Sequence, residues 1–221
     1  MVLWLGRKSI LSNNKIVIID YNMGNLRSVE KAFEKIGCDV TITNDPDTIR
    51  GADKIVLPGV GAFKDGMKHL NELGLIELLK KEVLVNKKPF LGICLGMQLL
   101  ANKSYENGET NGLSWIDAEV IKFDFTTKTD KLKIPHVGWN NVLYQNENKL
   151  FKDINNNSDF YFVHSFHFKV NENIITSITD YGFNFASSIQ KDNIFAFQFH
   201  PEKSQTVGLK IIENFVNIKG V

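Results

Sequence analysis

The first half of the chain alternates short apolar runs with segments of helical periodicity, and this alternation limits the possible folds more than any other feature. The apolar runs are KIVIIDY, CDVTIT, ADKIVLPG and KPFLGI. Between the first two, GNLRSVEKAFEKIG has apolar residues at helical spacing and ends at Gly37, as a helix C-terminus often does. GMKHLNELGLIELLKKEVLV predicts a second helical stretch, interrupted near Gly74. Apolar strands separated by helices predict a parallel sheet covered on both faces.

The second half of the chain has a different texture, because strand-like runs follow one another there with Asn-rich and Asp-rich turns between them. The last segment, TVGLKIIENFVNIK, returns to helical spacing. This order predicts a single-domain α/β fold with a central, mostly parallel sheet flanked by helices and an antiparallel extension in the second half. The strand-like runs are SWIDAEVIKFDF, IPHVGWNNVLY, DFYFVHSFHFKV, NIITSITDY, NFASSIQ and NIFAFQFH.

Composition argues against several classes of function. The 26 Lys and Arg residues nearly balance the 25 Asp and Glu residues, which is unlike a nucleic-acid-binding surface. No apolar run approaches the roughly 18 to 20 residues of a membrane-spanning helix. The apolar residues at the N-terminus precede the basic ones, the reverse of the order in a secretion signal. We therefore expect a cytoplasmic protein that binds neither nucleic acid nor membrane.

The two cysteines, Cys38 and Cys94, are too few for a disulfide scaffold or a cysteine-rich zinc site. Cys94 lies between Gly92 and Gly96, and GICLG has the spacing of the G-x-S-x-G nucleophile elbow with sulfur in place of oxygen. The pentapeptide also follows a predicted strand and precedes a predicted helix, MQLLANKSYE, whose N-terminus would stabilise a thiolate. Taken alone, it fits a buried core cysteine equally well.

His200 is the candidate base for Cys94, because a thiolate nucleophile needs a base and the base needs an orienting group. It ends the run NIFAFQF and is followed by Pro201 and Glu202. Residues at i and i+2 of an extended segment point to the same side, so Glu202 can reach the His200 ring. By itself HPE is more often a strand end than a catalytic pair, and the elbow cysteine strengthens the catalytic interpretation.

Acyl transfer also needs donors for a developing oxyanion. The N–H of Leu95, directly after the candidate nucleophile, is the first expected donor. LPGVGAF, with glycines on both sides of Val60, could turn further N–H groups into a site, although alone it fits an ordinary β-turn. Gln98, one helical turn after Cys94, could contact a substrate on the same helix face.

Three separated motifs, PGVGAF, GICLGMQLL and FQFHPEKS, resemble in sequence and order those of the class I (triad) glutamine amidotransferases. IDYNMGNLRSV and PHVGWN are similar to segments of one branch of that family, the glutaminase subunits of imidazole glycerol phosphate synthases. The resemblance implies one glutamine amidotransferase domain over residues 15–221, preceded by an N-terminal extension over residues 1–14.

The same resemblance implies the reaction and its residues. Cys94 would attack the side-chain amide of L-glutamine, His200 would give a proton to the departing ammonia, and Glu202 would orient His200. Water would release glutamate, and no metal or organic cofactor is implied. The other implied sites are an oxyanion hole of Val60, Gly61 and Leu95, a glutamine pocket of Gly59, Gln98, His164, Ser165 and Phe166, and a partner interface of Asn25, Pro135, Trp139 and Asn140.

The implied partner is a (β/α)₈-barrel cyclase subunit in a heterodimer. It would use the ammonia to form imidazole glycerol phosphate and an aminoimidazole carboxamide ribotide in histidine biosynthesis. HSFHF departs from the branch pattern, because Phe166 and His167 stand where tyrosines are common. Three alternatives therefore stay open: a paralogue that supplies ammonia for amidino sugars of surface polysaccharides, a partner-independent triad hydrolase, and an inactive interaction subunit.

Overall fold

The computed structural model describes residues 14–126, 132–144, 148–171 and 173–219. Of the predicted N-terminal extension, residues 1–13 lie outside the described residues. The parallel half contains strands β1 (Ile16–Ile19), β2 (Val40–Thr43), β3 (Lys54–Gly59) and β4 (Phe90–Cys94), and helices α1 (Leu26–Lys35), α2 (Pro46–Arg50), α3 (Phe63–Glu72), α4 (Leu75–Lys80, continued by a π-helical turn, Lys81–Val85) and α5 (Leu95–Gln98).

The second half consists mainly of strands, as the sequence predicts. They are β5 (Lys103–Ser104), β6 (Thr110–Asn111), β7 (Ala118–Lys122), β8 (His136–Tyr144), β9 (Ser158–His164), β10 (Phe166–Val170), β11 (Ile175–Asp180), β12 (Asn184–Lys191) and β13 (Ile194–Phe197). Two 3₁₀ turns, Lys149–Phe151 and Pro201–Lys203, and the last helix, α6 (Gln205–Val216), complete the described fold.

A nine-stranded sheet runs through the molecule in the order β2-β1-β3-β4-β13-β12-β11-β8-β9. Its first five strands are parallel, and the remaining pairs are antiparallel, which confirms the predicted parallel half with an antiparallel extension. A second, four-stranded sheet has the order β10-β7-β5-β6. Only Ser165 separates β9 from β10, so the chain passes from one sheet to the other at that residue.

The continuous apolar runs become strands that are buried on both faces. Every residue of β1, β3, β4 and β13 is buried, whereas the edge strand β2 has no fully buried residue. Along β1, Val17 and Ile19 pack into one apolar cluster, and Ile16 and Ile18 pack into the cluster on the opposite face. This two-residue alternation places one apolar layer on each side of the sheet.

Helix ends follow local sequence signals. The side chain of Asn25 accepts a hydrogen bond from the Ser28 N–H (3.3 Å) at the start of α1. Gly37 has φ +76° after the end of α1, and the Cys38 N–H donates back to the Phe33 carbonyl (3.0 Å). Gly74, with φ +65°, separates α3 from α4, which confirms the predicted interruption.

The prediction of a helix over MQLLANKSYE is wrong beyond its first two residues, Met97 and Gln98. Helix α5 ends at Gln98, and Lys103–Ser104 forms strand β5. The carbonyls of Leu99 and Leu100 accept hydrogen bonds from the loop at 113–116 instead of continuing a helical ladder. Helix α2 has no counterpart in the sequence analysis. Among the helices of the described ranges, none is long and apolar enough to cross a membrane.

Candidate active site

Cys94 occupies a sharp turn at the end of β4, where the chain passes directly into α5. Its backbone has φ +54° and ψ −108°, a conformation that non-glycine residues rarely adopt. A side chain at Gly96 would overlap the Leu57 carbonyl oxygen on β3. A Cβ at Gly92 would lie 2.8 Å from the Gly96 carbonyl oxygen. The two glycines are therefore required by the close approach of the backbone around the elbow, and a regular core strand would not need them.

His200 and Glu202 lie in the segment that follows the neighbouring strand, β13. β13 pairs in parallel with β4, Phe197 opposite Ile93, so the residues after β13 reach the same sheet edge as Cys94. His200 Nδ1 lies 2.7 Å from Glu202 Oε1. Both side chains are almost completely buried, with 2% and 3% of their surface exposed. The predicted contact between these side chains is therefore present, but it is made across the 3₁₀ turn Pro201–Lys203 and not along an extended segment as expected. It also fixes the proton on Nδ1, so Nε2 is the atom available for proton transfer.

The electrostatics of His200 favour its protonated form. Burial lowers its pKa, but the negative charge that Cys94 carries as a thiolate and the hydrogen-bonded Glu202 carboxylate outweigh burial and raise the pKa to about 10. The Nε2 atom is buried, and Cys94 acts on the ring through both its charge and a side-chain hydrogen bond. A protonated imidazole beside a nucleophilic sulfur is the arrangement that can hand a proton to a leaving amine.

A cavity of about 490 Å³ opens beside the sulfur. It brings together residues from β4, α5, the loop after β3 and the junction of β9 with β10, which are far apart in the sequence. Eight residues of the predicted sites line it: Val60, Gly61, Cys94, Leu95, Gln98, His164, Ser165 and Phe166. Pro135, predicted at the partner interface, also lines it.

The predicted oxyanion residues Val60, Gly61 and Leu95 all line the cavity. Val60 is 40% exposed, and Gly61 has φ +106°. Leu95 is the first residue of α5, so its N–H has no acceptor within the helix. Gly59 is placed differently from the lining residues: it pairs with Cys94 across β3 and β4, and a Cβ there would overlap the Tyr21 hydroxyl and lie 2.9 Å from Leu95 Cβ.

Several cavity residues were not identified from the sequence. Glu106, Val163 and Lys203 line the cavity as well. Glu106 Oε2 accepts a hydrogen bond from the Phe63 N–H (2.7 Å), which fixes its carboxylate at the wall. Glu106 belongs to SYENG, which carries no recognisable pattern, whereas Lys203 directly follows the HPE motif and could have been found there.

The predicted interface residues lie in three places. Asn25 is exposed at the start of α1, and Trp139 is 48% exposed on β8. The side chain of Asn140 instead turns toward its own chain, donating to the Asp180 carbonyl (2.9 Å) and contacting His136. Among the described residues, no group of His, Cys, Asp and Glu side chains has the arrangement of a metal site.

Known proteins resemble this chain over nearly its whole length. The imidazole glycerol phosphate synthase subunit HisH 1 of Campylobacter jejuni subsp. jejuni serotype O:23/36 (strain 81-176) is 54% identical over 203 residues, covering 92% of this chain and all of the relative. The HisH subunit of Aquifex aeolicus (strain VF5) is 48% identical over 203 residues, covering 91% and 95%.

Solved structures share the fold at much lower sequence identity. A glutamine amidotransferase superimposes with a TM-score of 0.71 at 16% identity, covering 91% of this chain and 99% of that one. PurLQS from Thermotoga maritima gives 0.69 at 15% identity, covering 93% and 99%. The family model of the class I glutamine amidotransferases matches residues 17–218. The chain, with its elbow cysteine and buried His–Glu pair, belongs to the class I glutamine amidotransferases.

Proposed function

We propose that the chain is the glutaminase subunit of an imidazole glycerol phosphate synthase and acts in histidine biosynthesis. The observation that carries the proposal is Cys94, held on a strained elbow in the wall of a cavity and electrostatically coupled to the buried His200–Glu202 pair. The names of relatives that are 54% and 48% identical support the assignment to this enzyme.

The first half of the reaction forms a thioester. Cys94 Sγ, as a thiolate, attacks the side-chain amide carbon of L-glutamine, and the carbonyl oxygen gains the negative charge. The N–H of Leu95 and those of the Val60–Gly61 segment stabilise this oxyanion. His200 Nε2 then gives its proton to the amide nitrogen, the C–N bond breaks, and ammonia leaves. Glu202 keeps His200 in the productive tautomer throughout.

The second half of the reaction returns the enzyme to its starting state. His200, now neutral, takes a proton from water, which attacks the thioester carbon. The C–S bond breaks, glutamate is released, and Cys94 recovers its thiolate beside the protonated imidazole. One glutamine and one water thereby give one glutamate and one ammonia.

The cavity has the polarity that glutamine needs. The Glu106 carboxylate at its wall suits the α-ammonium group, and Gln98 and the His164–Phe166 segment suit the polar ends of the substrate. The exposed side chains of Val137, Trp139 and Leu143 share the outward face of β8, which begins directly after cavity residue Pro135. We propose that a (β/α)₈-barrel cyclase docks on this face and receives the ammonia, and that the complex is cytoplasmic.

The test is glutamate release by the chain alone and with the cyclase subunit of an imidazole glycerol phosphate synthase. Strong stimulation by the cyclase loaded with its own substrate is expected. Stimulation only by a sugar-amidating synthase would assign the chain to surface polysaccharides, which the Phe166–His167 departure keeps as the second candidate. Full activity without any partner would identify a partner-independent hydrolase and contradict the proposal.

Cys94→Ala tests the chemistry and Cys38→Ala is its matched control. Burial raises the pKa of the Cys38 thiol, and its sulfur contacts only the Asp39 carbonyl among the hydrogen-bonding groups in the described ranges. Cys94→Ala should reduce glutamine hydrolysis by at least about 10⁴-fold while the cyclase still uses added ammonium salts. Cys38→Ala should keep both reactions. Loss of the ammonia-dependent reaction in Cys94→Ala would point to a structural role.

A further inference from the structure

Two buried histidines that take no part in the triad connect β8 to the cavity wall. His136 on β8 and His164 on β9 are direct cross-strand partners, and each is less than one-tenth exposed. His136 Nδ1 lies 3.0 Å from His164 Nε2. One of these two nitrogens must donate and the other accept, because two lone pairs or two protons facing each other would be repulsive.

Backbone carbonyls at both ends decide the direction of this hydrogen bond. His164 Nδ1 lies 2.8 Å from the Phe166 carbonyl, which can only accept, so Nδ1 carries the proton and Nε2 accepts. His136 Nδ1 is therefore the donor. At the other end, Asn140 Nδ2 donates to the Asp180 carbonyl (2.9 Å) and also lies 3.2 Å from His136 Nε2. His136 Nε2 consequently accepts, and one neutral tautomer assignment satisfies the whole chain.

The Phe166 carbonyl connects these hydrogen bonds to the cavity. It also accepts a hydrogen bond from Gln98 Nε2 (3.0 Å), whose other proton goes to Gln198 Oε1 (3.0 Å). With both amide protons of Gln98 used, the atom it can offer to the cavity is the acceptor Oε1. Gln198 Nε2 in turn lies 3.7 Å from Cys94 Sγ. An acceptor in the wall favours the N–H groups of a carboxamide or ammonium over a carboxylate.

We propose that Asn140, His136 and His164 form a one-directional relay of neutral hydrogen bonds that fixes the Phe166 carbonyl and thereby orients Gln98, with its amide oxygen toward the substrate. His136 and Asn140 are positioning residues, because they act on the substrate only through Gln98. The kinetic arm of the test rests on the proposed glutaminase function, whereas the spectroscopic arm does not.

The environment of the two rings keeps them neutral. Burial lowers the pKa of His136 to about 4 and that of His164 to about 3. The titratable groups around them are Tyr181, stacked on His136 with ring centroids 3.9 Å apart, His167, whose pKa burial also lowers to about 4, and His200, whose positive charge disfavours protonation of His164. If His164 Nε2 carried a proton, it would donate to His136 Nδ1, and the proton of neutral His136 would have to move to its Nε2. That N–H group would then face the Asn140 amide protons.

The direct test is ¹⁵N nuclear magnetic resonance of the histidine side chains in the full chain. Signals are assigned with single histidine variants, and the tautomer is determined from the ring nitrogen shifts. Both His136 and His164 should be Nδ1–H tautomers at pH 7 and should stay neutral down to about pH 5. An Nε2–H tautomer at either ring, or protonation of either ring above pH 6, would overturn the relay.

A matched pair of variants tests the effect on glutamine. His136→Asn keeps an N–H donor near the position of Nδ1, whereas His136→Leu has similar size and no donor. In complex with the stimulating partner, His136→Leu should raise KM for glutamine about tenfold, the effect of one lost hydrogen bond, with kcat nearly unchanged. His136→Asn should stay within about threefold of the parent. Equal increases in KM would show that packing alone matters and would overturn the positioning role.

The two arms separate this proposal from the proposed function. If the parent chain fails to hydrolyse glutamine with any partner, the proposed function is wrong, and the ring tautomers still decide whether the relay exists. If hydrolysis is normal but the tautomers differ from those expected, only the relay is wrong.

Discussion

At the scale of single residues, the elbow at Cys94 requires glycine at position 96, because there is no space there for a Cβ atom. Gly96 must lack a side chain because the Leu57 carbonyl oxygen occupies the space where a Cβ would lie. The carbonyl belongs to the backbone of β3, so it cannot rotate away as a side chain could. We expect Gly96→Ala to lower the free energy of unfolding by about 3 kcal/mol or more and to abolish activity. Denaturant titration measures the first effect and glutamate release the second.

Gly51→Ala is the control for this substitution. Gly51 has φ −80°, and a Cβ there would meet its nearest atoms at an ordinary 3.5 Å. Gly51→Ala should leave the free energy of unfolding unchanged or raise it by up to about 1 kcal/mol, because alanine restricts the conformations of the unfolded chain. Equal stability of the two variants would show that the backbone at the elbow is not closely packed.

The buried His200–Glu202 pair makes stability depend on pH. Cys94 and the Glu202 carboxylate together raise the pKa of His200 in the folded protein to about 10, above the 6.5 of an unfolded histidine, so protonated His200 stabilises the fold fully below pH 6.5. That stabilisation is lost as the pH rises toward 10. Glu202→Gln should therefore cost about 3 kcal/mol of unfolding free energy at pH 6 and clearly less at pH 10.

The same substitution should also lower kcat by roughly 10²- to 10⁴-fold, because His200 loses its orienting carboxylate. Glu213→Gln, in the partly exposed pair with Lys210, is the control and should change stability by less than about 1 kcal/mol at either pH. A cost at pH 10 equal to that at pH 6 would contradict the assigned ionisation of His200.

At the scale of elements, Asn25 combines a capping role with a predicted role at the partner interface. Its side chain accepts from the Ser28 N–H at the start of α1. Asn25→Ala should lower stability by about 1 kcal/mol, while Asn25→Ser should retain the cap and nearly all the stability. Thermal unfolding measures both. If Asn25→Ser keeps stability but weakens cyclase binding, the two roles are separate, and equal destabilisation by both variants would exclude a capping role.

Local patterns predicted the elements that position the triad. Apolar runs predicted β4 and β13, and the spacing of Gly92, Cys94 and Gly96 predicted the elbow as one of two equally good alternatives, which the separate HPE motif favoured. These features depend on neighbours in the chain, so sequence reasoning can find them. The one-turn length of α5 could not be predicted in this way, because carbonyl partners from the loop at 113–116 end it.

Non-local pairing explains most of what was missed. The contact of His136 with His164 depends on the register between β8 and β9, and the position of Glu106 depends on its bond to Phe63, 43 residues away in the sequence. The four-stranded sheet likewise pairs β10 with β7, which are distant from each other in the sequence. The short helix α2 was missed for a different reason: Asp45 and Pro46 are typical of a helix start, but the helix has only five residues.

At the scale of the whole molecule, three parts of the fold meet at the cavity. They are the parallel part of the nine-stranded sheet, the antiparallel end of the same sheet, and the four-stranded sheet. β4 and α5 supply Cys94 and Gln98, and the junction between β9 and β10 supplies a neighbouring part of the wall. The outward face of β8 adjoins this wall. A partner that binds β8 would therefore lie next to the place where the proposed reaction releases ammonia, while the side chains of Cys94, His200 and Glu202 stay buried.

Trp139 is the residue through which this arrangement can be tested. It is 48% exposed on β8, and its ring lies edge-on to that of Tyr161 on β9 at 6.0 Å. Large aromatic side chains of this kind often dominate binding energy at protein interfaces. Trp139→Ala should weaken cyclase binding roughly 30-fold, equivalent to about 2 kcal/mol, measured by titration calorimetry, with thermal stability little changed. Val85→Ala, at an exposed apolar side chain after α4, should leave the affinity unchanged. Equal affinities for the two variants would show that the cyclase docks on another surface. The proposed ammonia path would then have to open on a side of the cavity away from β8.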